Sequence, residues 1–135
     1  MGLEVKYISV DRPLRMASYS VMEITVGADL AHNLSYDGTG VGVAVIDSGV
    51  NATPDLGVPG SEKSSRIVYS ANFDTSKTTT NDLFGHGTHV ASLIAGNGTS
   101  SSCGNCTITY RGIAPNATII NLRAWVPMGR QPTAK

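Results

Sequence analysis

Apolar positions along the chain predict three strands and one helix. Residues 41–46 form an unbroken apolar run of strand type, and residues 66–69 and 118–123 give two shorter runs of the same kind. Positions 90, 93 and 94 follow the i, i+3, i+4 spacing of a helix face that packs on a core, and Gly96 provides the stop. Because the first run is apolar on both faces, we expect a mainly parallel sheet covered by helices, which is the front half of a three-layer, doubly wound α/β fold.

Weaker patterns predict the segments around this sheet. Residues 3–10 alternate in the period-two manner of a half-exposed strand, and residues 20–33 suit one or two short helices interrupted at Gly27. Residues 75–80 are polar, and we interpret them as a solvated loop. Residues 126–135 contain two prolines and no apolar pattern, which indicates an unpacked end.

Candidate chemistry lies at the end of the first strand and at the start of the helix. Asp47 follows the apolar run, at the carboxyl end where open parallel sheets form their sites. His86 lies between two glycines in a first helical turn, whose unsatisfied N–H groups disfavour an imidazolium. An isolated histidine of this kind is ordinarily a capping or core-edge residue. A strand-end aspartate in the same crevice instead predicts a general base and its orienting carboxylate.

Two segments resemble the subtilisin-like serine peptidases. They are VAVIDSGV around Asp47 and GHGTHVASLIAG around His86, in the chain order aspartate then histidine. The resemblance extends to a Pro-Asp-Leu turn at residues 54–56 and to a Gly-Ile-Ala-Pro segment at residues 112–115. Over residues 17–125 the chain is therefore similar to the N-terminal portion of that family's peptidase domain.

The resemblance implies a serine endopeptidase with an Asp-His-Ser triad. In such an enzyme His86 takes the serine proton and returns it to the leaving amine, while Asp47 holds the imidazole in the required tautomer. The family's Gly-Thr-Ser-x-Ala segment does not occur in the chain. Ser100 follows a glycine and a threonine, but it lies beyond the far end of the predicted helix, well over ~10 Å from His86. We therefore expect this chain alone to be inactive; the alternative is a non-enzymatic remnant that serves as a binding or regulatory fragment.

The resemblance also divides the chain into segments. We interpret residues 1–16 as the end of a propeptide, residues 17–125 as peptidase domain, and residues 126–135 as an unpacked or aberrant tail. An edge strand of the domain is the alternative for the first segment. The first thirty residues lack a signal-peptide pattern, whereas the family is mostly secreted, so we expect a secreted enzyme whose native N-terminus lies upstream. We also expect the gene to be truncated or frame-shifted near Ala124.

Charge and cysteine content limit the classes of partner and cofactor that we expect. Ten basic and ten acidic residues balance, which gives no electrostatic case for nucleic acid or an anionic membrane. The resemblance implies a protein or peptide substrate and a monomer when the enzyme is complete. Cys103 and Cys106 favour a local loop disulfide, with two free thiols as the alternative, and no second pair supports zinc. The family often binds calcium through the loop after the helix, but residues 97–110 match no pattern that carries over, so we assign no metal or cofactor.

Overall fold

The computed structural model describes residue 23 and residues 25–61 and 64–124. These residues form α1 (Ala28–Asn33), β1 (Gly42–Asp47), β2 (Ile67–Asn72), α2 (His86–Ala95) and β3 (Thr118–Arg123), with 3₁₀ turns at Pro54–Leu56 and Thr99–Ser101. The strands form one parallel sheet in the order β1-β3-β2. The parallel sheet of the predicted α/β fold is therefore confirmed, whereas the interpretations of residues 1–16 and 126–135 lie outside the described residues.

The central strand β3 carries the most regular alternation in the sheet. Ile119, Asn121 and Arg123 are buried, and the residues between them are half-buried. Because side chains alternate across a strand, these three point to the same face. That face is covered by α2 and the loops around it, and it forms the core of the described residues.

Small side chains place α2 against the sheet. Ala91 and Ala95 are fully buried in the core, with Val90 and Ile94 partly buried beside them. Leu93 is 42% exposed, so the prediction that it faces the core is wrong. The apolar periodicity predicted the helix correctly. Because alanines face the sheet, the helix backbone approaches the strands closely, and the larger side chains lie at the edges of the contact.

The opposite face of the sheet is open in the described part of the chain. Ile46 on β1 is 69% exposed and Tyr69 on β2 is 58% exposed, while Val45 is only 4% exposed. The expectation that β1 is covered on both faces is therefore not met by the described residues. An apolar strand pattern indicates which side chains are suited to burial, but it does not identify the element that packs over them.

The predicted helical region of residues 20–33 is interrupted at Gly27, as expected: residues 23, 25 and 26 are helical, Gly27 is a turn, and α1 follows it. Gly27 precedes α1 with a φ of 72°, a left-handed conformation that glycine adopts without steric cost. His32 bonds through Nε2 to the Ile113 carbonyl oxygen at 2.9 Å and joins α1 to the segment before β3. None of the described helices is long and apolar enough to cross a lipid bilayer.

Two buried polar side chains of β3, those of Arg123 and Asn121, join the loop at residues 74–80 to the sheet. The Arg123 guanidinium contacts the Asp74 carboxylate at 3.2 Å and donates to the Thr79 carbonyl at 3.0 Å. The Asn121 amide donates to the Thr80 carbonyl at 3.0 Å. The loop at residues 75–80 is thus solvated at its side chains near the tip, but its last two carbonyls bond to the sheet.

The Arg66 guanidinium donates to four backbone carbonyls. It donates to Gly57 at 2.9 Å, Ala117 at 2.7 Å and Asp55 at 2.8 Å, and also to the last residue of α2, Ala95. Burial lowers the Arg66 pKa, because removal from water disfavours the charged form. The four carbonyls compensate this loss of hydration and tie the C-terminal end of α2 to the sheet.

Candidate active site

Asp47 and His86 are in direct contact at the carboxyl end of the sheet. Asp47 is the last residue of β1, and His86 is the first residue of α2. The His86 Nδ1 atom lies 2.8 Å from Asp47 Oδ1 and 2.9 Å from Oδ2. The His86 side chain is 56% exposed and that of Asp47 is 14% exposed. The structure therefore brings both predicted site residues together, with the imidazole toward solvent and the carboxylate beneath it.

The surroundings of Asp47 keep its carboxylate ionised. Burial acts to raise its pKa, but the backbone N–H of Ser48 and the His86 side chain favour the charged form and lower the pKa below its ordinary value. The Ser48 N–H donates to Oδ1 at 2.6 Å. An ionised carboxylate accepts the Nδ1 proton of a neutral imidazole, which leaves Nε2 as the basic nitrogen.

Two glycines allow the strand and the helix to approach each other. A Cβ atom on Gly87 would lie 2.1 Å from the Gly49 carbonyl oxygen and 3.1 Å from the Asp47 side chain. Gly49 has a φ of 112°, and a Cβ there would lie 2.6 Å from the Thr80 carbonyl. Gly87 is thus required for close contact between the helix and the end of β1, and Gly49 is required for close contact between the Asp47 turn and the loop at Thr80.

Asp82 holds the first turn of α2, and the sequence reasoning missed it. Its Oδ1 accepts from the Phe84 N–H at 3.0 Å and the Gly85 N–H at 2.8 Å, and its Oδ2 accepts from the Thr88 N–H at 2.8 Å. The N-cap residue, Gly85, has no side chain with which to cap the helix. An aspartate three residues before a glycine N-cap is the signal from which this role was predictable.

Ser48 joins Asp82 to the pair. Its hydroxyl donates to Asp82 Oδ1 at 2.8 Å and accepts from the Gly87 N–H at 3.1 Å. Ser48 is fully buried, and its proton is directed to Asp82, so it does not act as a nucleophile toward a substrate. Ser100 lies in the 3₁₀ turn beyond the other end of α2, where its N–H donates to Asp55.

Comparison with known families identifies the fold around this pair. The family model described as the subtilase family matches residues 38–133, which include Asp47, His86 and all three strands. The chain belongs to the subtilase family. The predicted resemblance is therefore confirmed.

Curated relatives and solved structures agree with this assignment. An alkaline protease of Alkalihalobacillus alcalophilus is 36% identical over 117 residues, covering 85% of this chain and 27% of that protein. Subtilisin BL of Lederbergia lenta is 36% identical over 105 residues, covering 78% and 33%. The crystal structure of MycP1 from Mycobacterium smegmatis matches with a TM-score of 0.56 at 26% identity, covering 93% of this chain and 30% of that one. The chain thus spans about a quarter to a third of the length of these three subtilases.

Two side-chain oxygens in and beside the loop after α2 accept backbone hydrogen bonds. The Asn97 side-chain oxygen accepts the Thr99 N–H at 2.8 Å, and Asp55 Oδ1 accepts the Ser100 N–H at 2.8 Å. These oxygens are already engaged, and no cluster of three or more metal-binding side chains occurs within the described residues. The Cys103–Cys106 disulfide is present, which confirms the predicted pairing.

Proposed function

We propose that this chain supplies the aspartate and the histidine of a subtilase serine endopeptidase. The observation that carries the proposal is the contact of His86 Nδ1 with both oxygens of an ionised Asp47 carboxylate, at 2.8 and 2.9 Å. Such a carboxylate selects the imidazole tautomer in which Nε2 is free of a proton. A histidine in this state and partly exposed to solvent suits general-base catalysis.

The proposed reaction is hydrolysis of a peptide bond through an acyl-enzyme. His86 takes the proton of a serine hydroxyl as its oxygen attacks the peptide carbonyl carbon, and then returns that proton to the leaving amine nitrogen. Asp47 stabilises the imidazolium formed between these steps. Water repeats the sequence and releases the acyl group. The serine and the donors to the oxyanion belong to segments that this sequence does not contain.

Substrate and location follow from the family. Subtilases hydrolyse proteins or peptides, so a polypeptide is the proposed substrate. One relative, from Bacillus subtilis, is a minor extracellular protease that is 35% identical over 113 residues. We propose the same extracellular setting for the enzyme to which this chain contributes. The Cys103–Cys106 disulfide supports that setting, because disulfides persist mainly in oxidising compartments.

The decisive experiment first asks whether a longer reading frame covers this locus. A product that includes a downstream Gly-Thr-Ser segment is assayed on a denatured protein beside its His86→Ala, Asp47→Ala and His89→Ala variants. By the effects measured in subtilisin, we expect turnover to fall roughly 10⁶-fold without the histidine and roughly 10⁴-fold without the aspartate. His89→Ala is the matched control, because His89 is an exposed histidine on the same helix, and it should retain activity.

The 135-residue chain alone should hydrolyse no peptide above background. Without the nucleophile and the oxyanion donors, proton transfer by His86 has no acyl transfer to assist. Hydrolysis by the purified chain that disappears in both His86→Ala and Asp47→Ala would reveal a nucleophile within it and would overturn this expectation. A longer reading frame without a serine segment in any phase would instead favour the binding or regulatory fragment.

A further inference from the structure

We propose that Asp82 and Ser48 are positioning residues that hold the His86 imidazole against Asp47. The proposal rests on the proposed function, because it concerns the geometry of the same pair. Their side chains hydrogen-bond to the backbone of the residues that flank His86. They act through the backbone on either side of it.

The first argument concerns the start of α2. His86 is the first helical residue, and the first turn of a helix has backbone N–H groups without helical partners. Asp82 accepts the N–H of Gly85, just before His86, and the N–H of Thr88, two residues after it. The histidine backbone is therefore held between two fixed points. Without these bonds the first turn would fray and the imidazole would move with it.

The second argument concerns the link between the helix and the strand. Ser48 follows Asp47 in the chain, and its N–H donates to the Asp47 oxygen that lies 2.8 Å from His86 Nδ1. The same residue, through its hydroxyl, bonds to Asp82 and to the Gly87 N–H. One buried residue, through its backbone N–H and its hydroxyl, thus connects the carboxylate of the pair with the helix that carries the imidazole. A shift of either element is transmitted to the other.

The third argument is electrostatic. Burial acts to raise the Asp82 pKa, but the Thr88, Phe84 and Ser48 hydrogen bonds outweigh it and lower the pKa far below the ordinary value. Asp82 is therefore anionic at any working pH. Its charge opposes the positive end of the α2 dipole, which by itself would disfavour the imidazolium that forms at His86 during proton transfer.

The experiment measures the state of the imidazole in the full 135-residue chain. The chain is labelled with ¹⁵N-histidine and studied as a monomer at pH 8.5, where an ordinary imidazole is neutral. The ¹⁵N shifts report the tautomer, and a low-field Nδ1 proton reports the bond to Asp47. The variants are Ser48→Ala, Asp82→Asn, Asp47→Asn and the matched control Asp37→Asn. Asp37 also accepts a backbone N–H and two side-chain donors, but it lies in the loop before β1.

The expected results distinguish the positioning role from a purely structural role and from the proposed function. The parent and Asp37→Asn should show a single Nδ1–H tautomer, whereas Ser48→Ala and Asp82→Asn should show mixed tautomers and loss of the low-field proton. A residue that only stabilises the fold would lower the melting temperature and leave the tautomer of the folded chain unchanged. An unaffected imidazole in Ser48→Ala would overturn the positioning role, even if Asp82→Asn failed to fold. No Nδ1–H tautomer in the parent, or no change in Asp47→Asn, would instead contradict the Asp47–His86 pair and with it the proposed function.

Discussion

The two faces of the sheet carry similar apolar side chains but have different surroundings. On the covered face, Val45 and Ile119 are 4% and 0% exposed beneath α2. On the open face, Ile46 is 69% exposed although it adjoins Val45 in the same strand. The covered face also carries two buried polar side chains of β3, Asn121 and Arg123. The difference shows that an apolar strand pattern identifies side chains suited to burial. Whether such a side chain stabilises the fold depends on the elements that pack against it.

The largest expected effect comes from a matched pair of isoleucines on β3. Ile119→Ala removes a fully buried side chain and should lower the free energy of unfolding by about 2–5 kcal/mol, since the cavity adds to the lost transfer energy. Ile120→Ala, one residue along and on the open face, should cost clearly less. Urea denaturation of both variants measures the difference. Equal losses would mean that the two faces are equally covered in solution.

A smaller effect is expected from the polar part of the covered face. Asn121→Ala removes the donor to the part-buried Thr80 carbonyl and to the buried Val50 carbonyl, which should cost about 1–3 kcal/mol. Amide exchange near residues 79–81 should quicken, because this contact anchors the end of the loop. Exchange unchanged in that segment would show that other contacts, such as that of Arg123 with Thr79, hold the loop by themselves.

Acid should weaken the covered face through its carboxylates. The pKa values of Asp47 and Asp82 are lowered in the folded chain, so each contributes stability that is complete above the unfolded value of about 4. That contribution is lost as the pH falls through the folded values. Between about pH 4 and pH 2 the free energy of unfolding of the parent should therefore fall more steeply with decreasing pH than that of Asp82→Asn. The difference between the two slopes should correspond to at most one proton taken up on unfolding. Parallel curves for the two proteins would contradict the assignment of a charged Asp82.

The smallest effect is expected on the open face. Ile46→Thr keeps a β-branched side chain in β1 and removes apolar surface from solvent, so the free energy of unfolding should change by no more than about 0.5 kcal/mol. The concentration at which the chain remains monomeric should rise, because exposed apolar surface promotes association. Sedimentation velocity measures this. Val45→Thr is the control on the covered face and should destabilise the chain.

Sequence reasoning located the elements better than their surroundings. The bounds of β3 and the start of α2 were predictable because strand and helix periods, and the glycines around His86, are local signals. The exposure of Leu93 was not predictable, because periodicity defines a helix face without showing which neighbour packs on it. The bonds of the Thr79 and Thr80 carbonyls were also invisible, since every residue type has a carbonyl and only the fold selects those that bond to the sheet.

The candidate site follows the same division. The family motifs contained Asp47 and His86, and their order in the chain was enough to predict that they meet. Asp82 and Ser48 were not singled out, because a short polar residue near a turn has many roles and only the hydrogen bonds distinguish them. The catalytic roles of the pair remain predictions that the proposed assays test.

Arg66 gives α2 a second anchor, opposite to the histidine, and so limits how the helix can pivot. A ten-residue helix is about 15 Å long, so a tilt of about 2° around the Ala95 end would displace His86 by about 0.5 Å. That displacement is comparable to the tolerance of a catalytic arrangement. A lysine in place of Arg66 would offer one ammonium instead of a planar fork and could not reach the same carbonyls together. Arg66, at the opposite end of α2, thus helps to fix the orientation of the His86 imidazole.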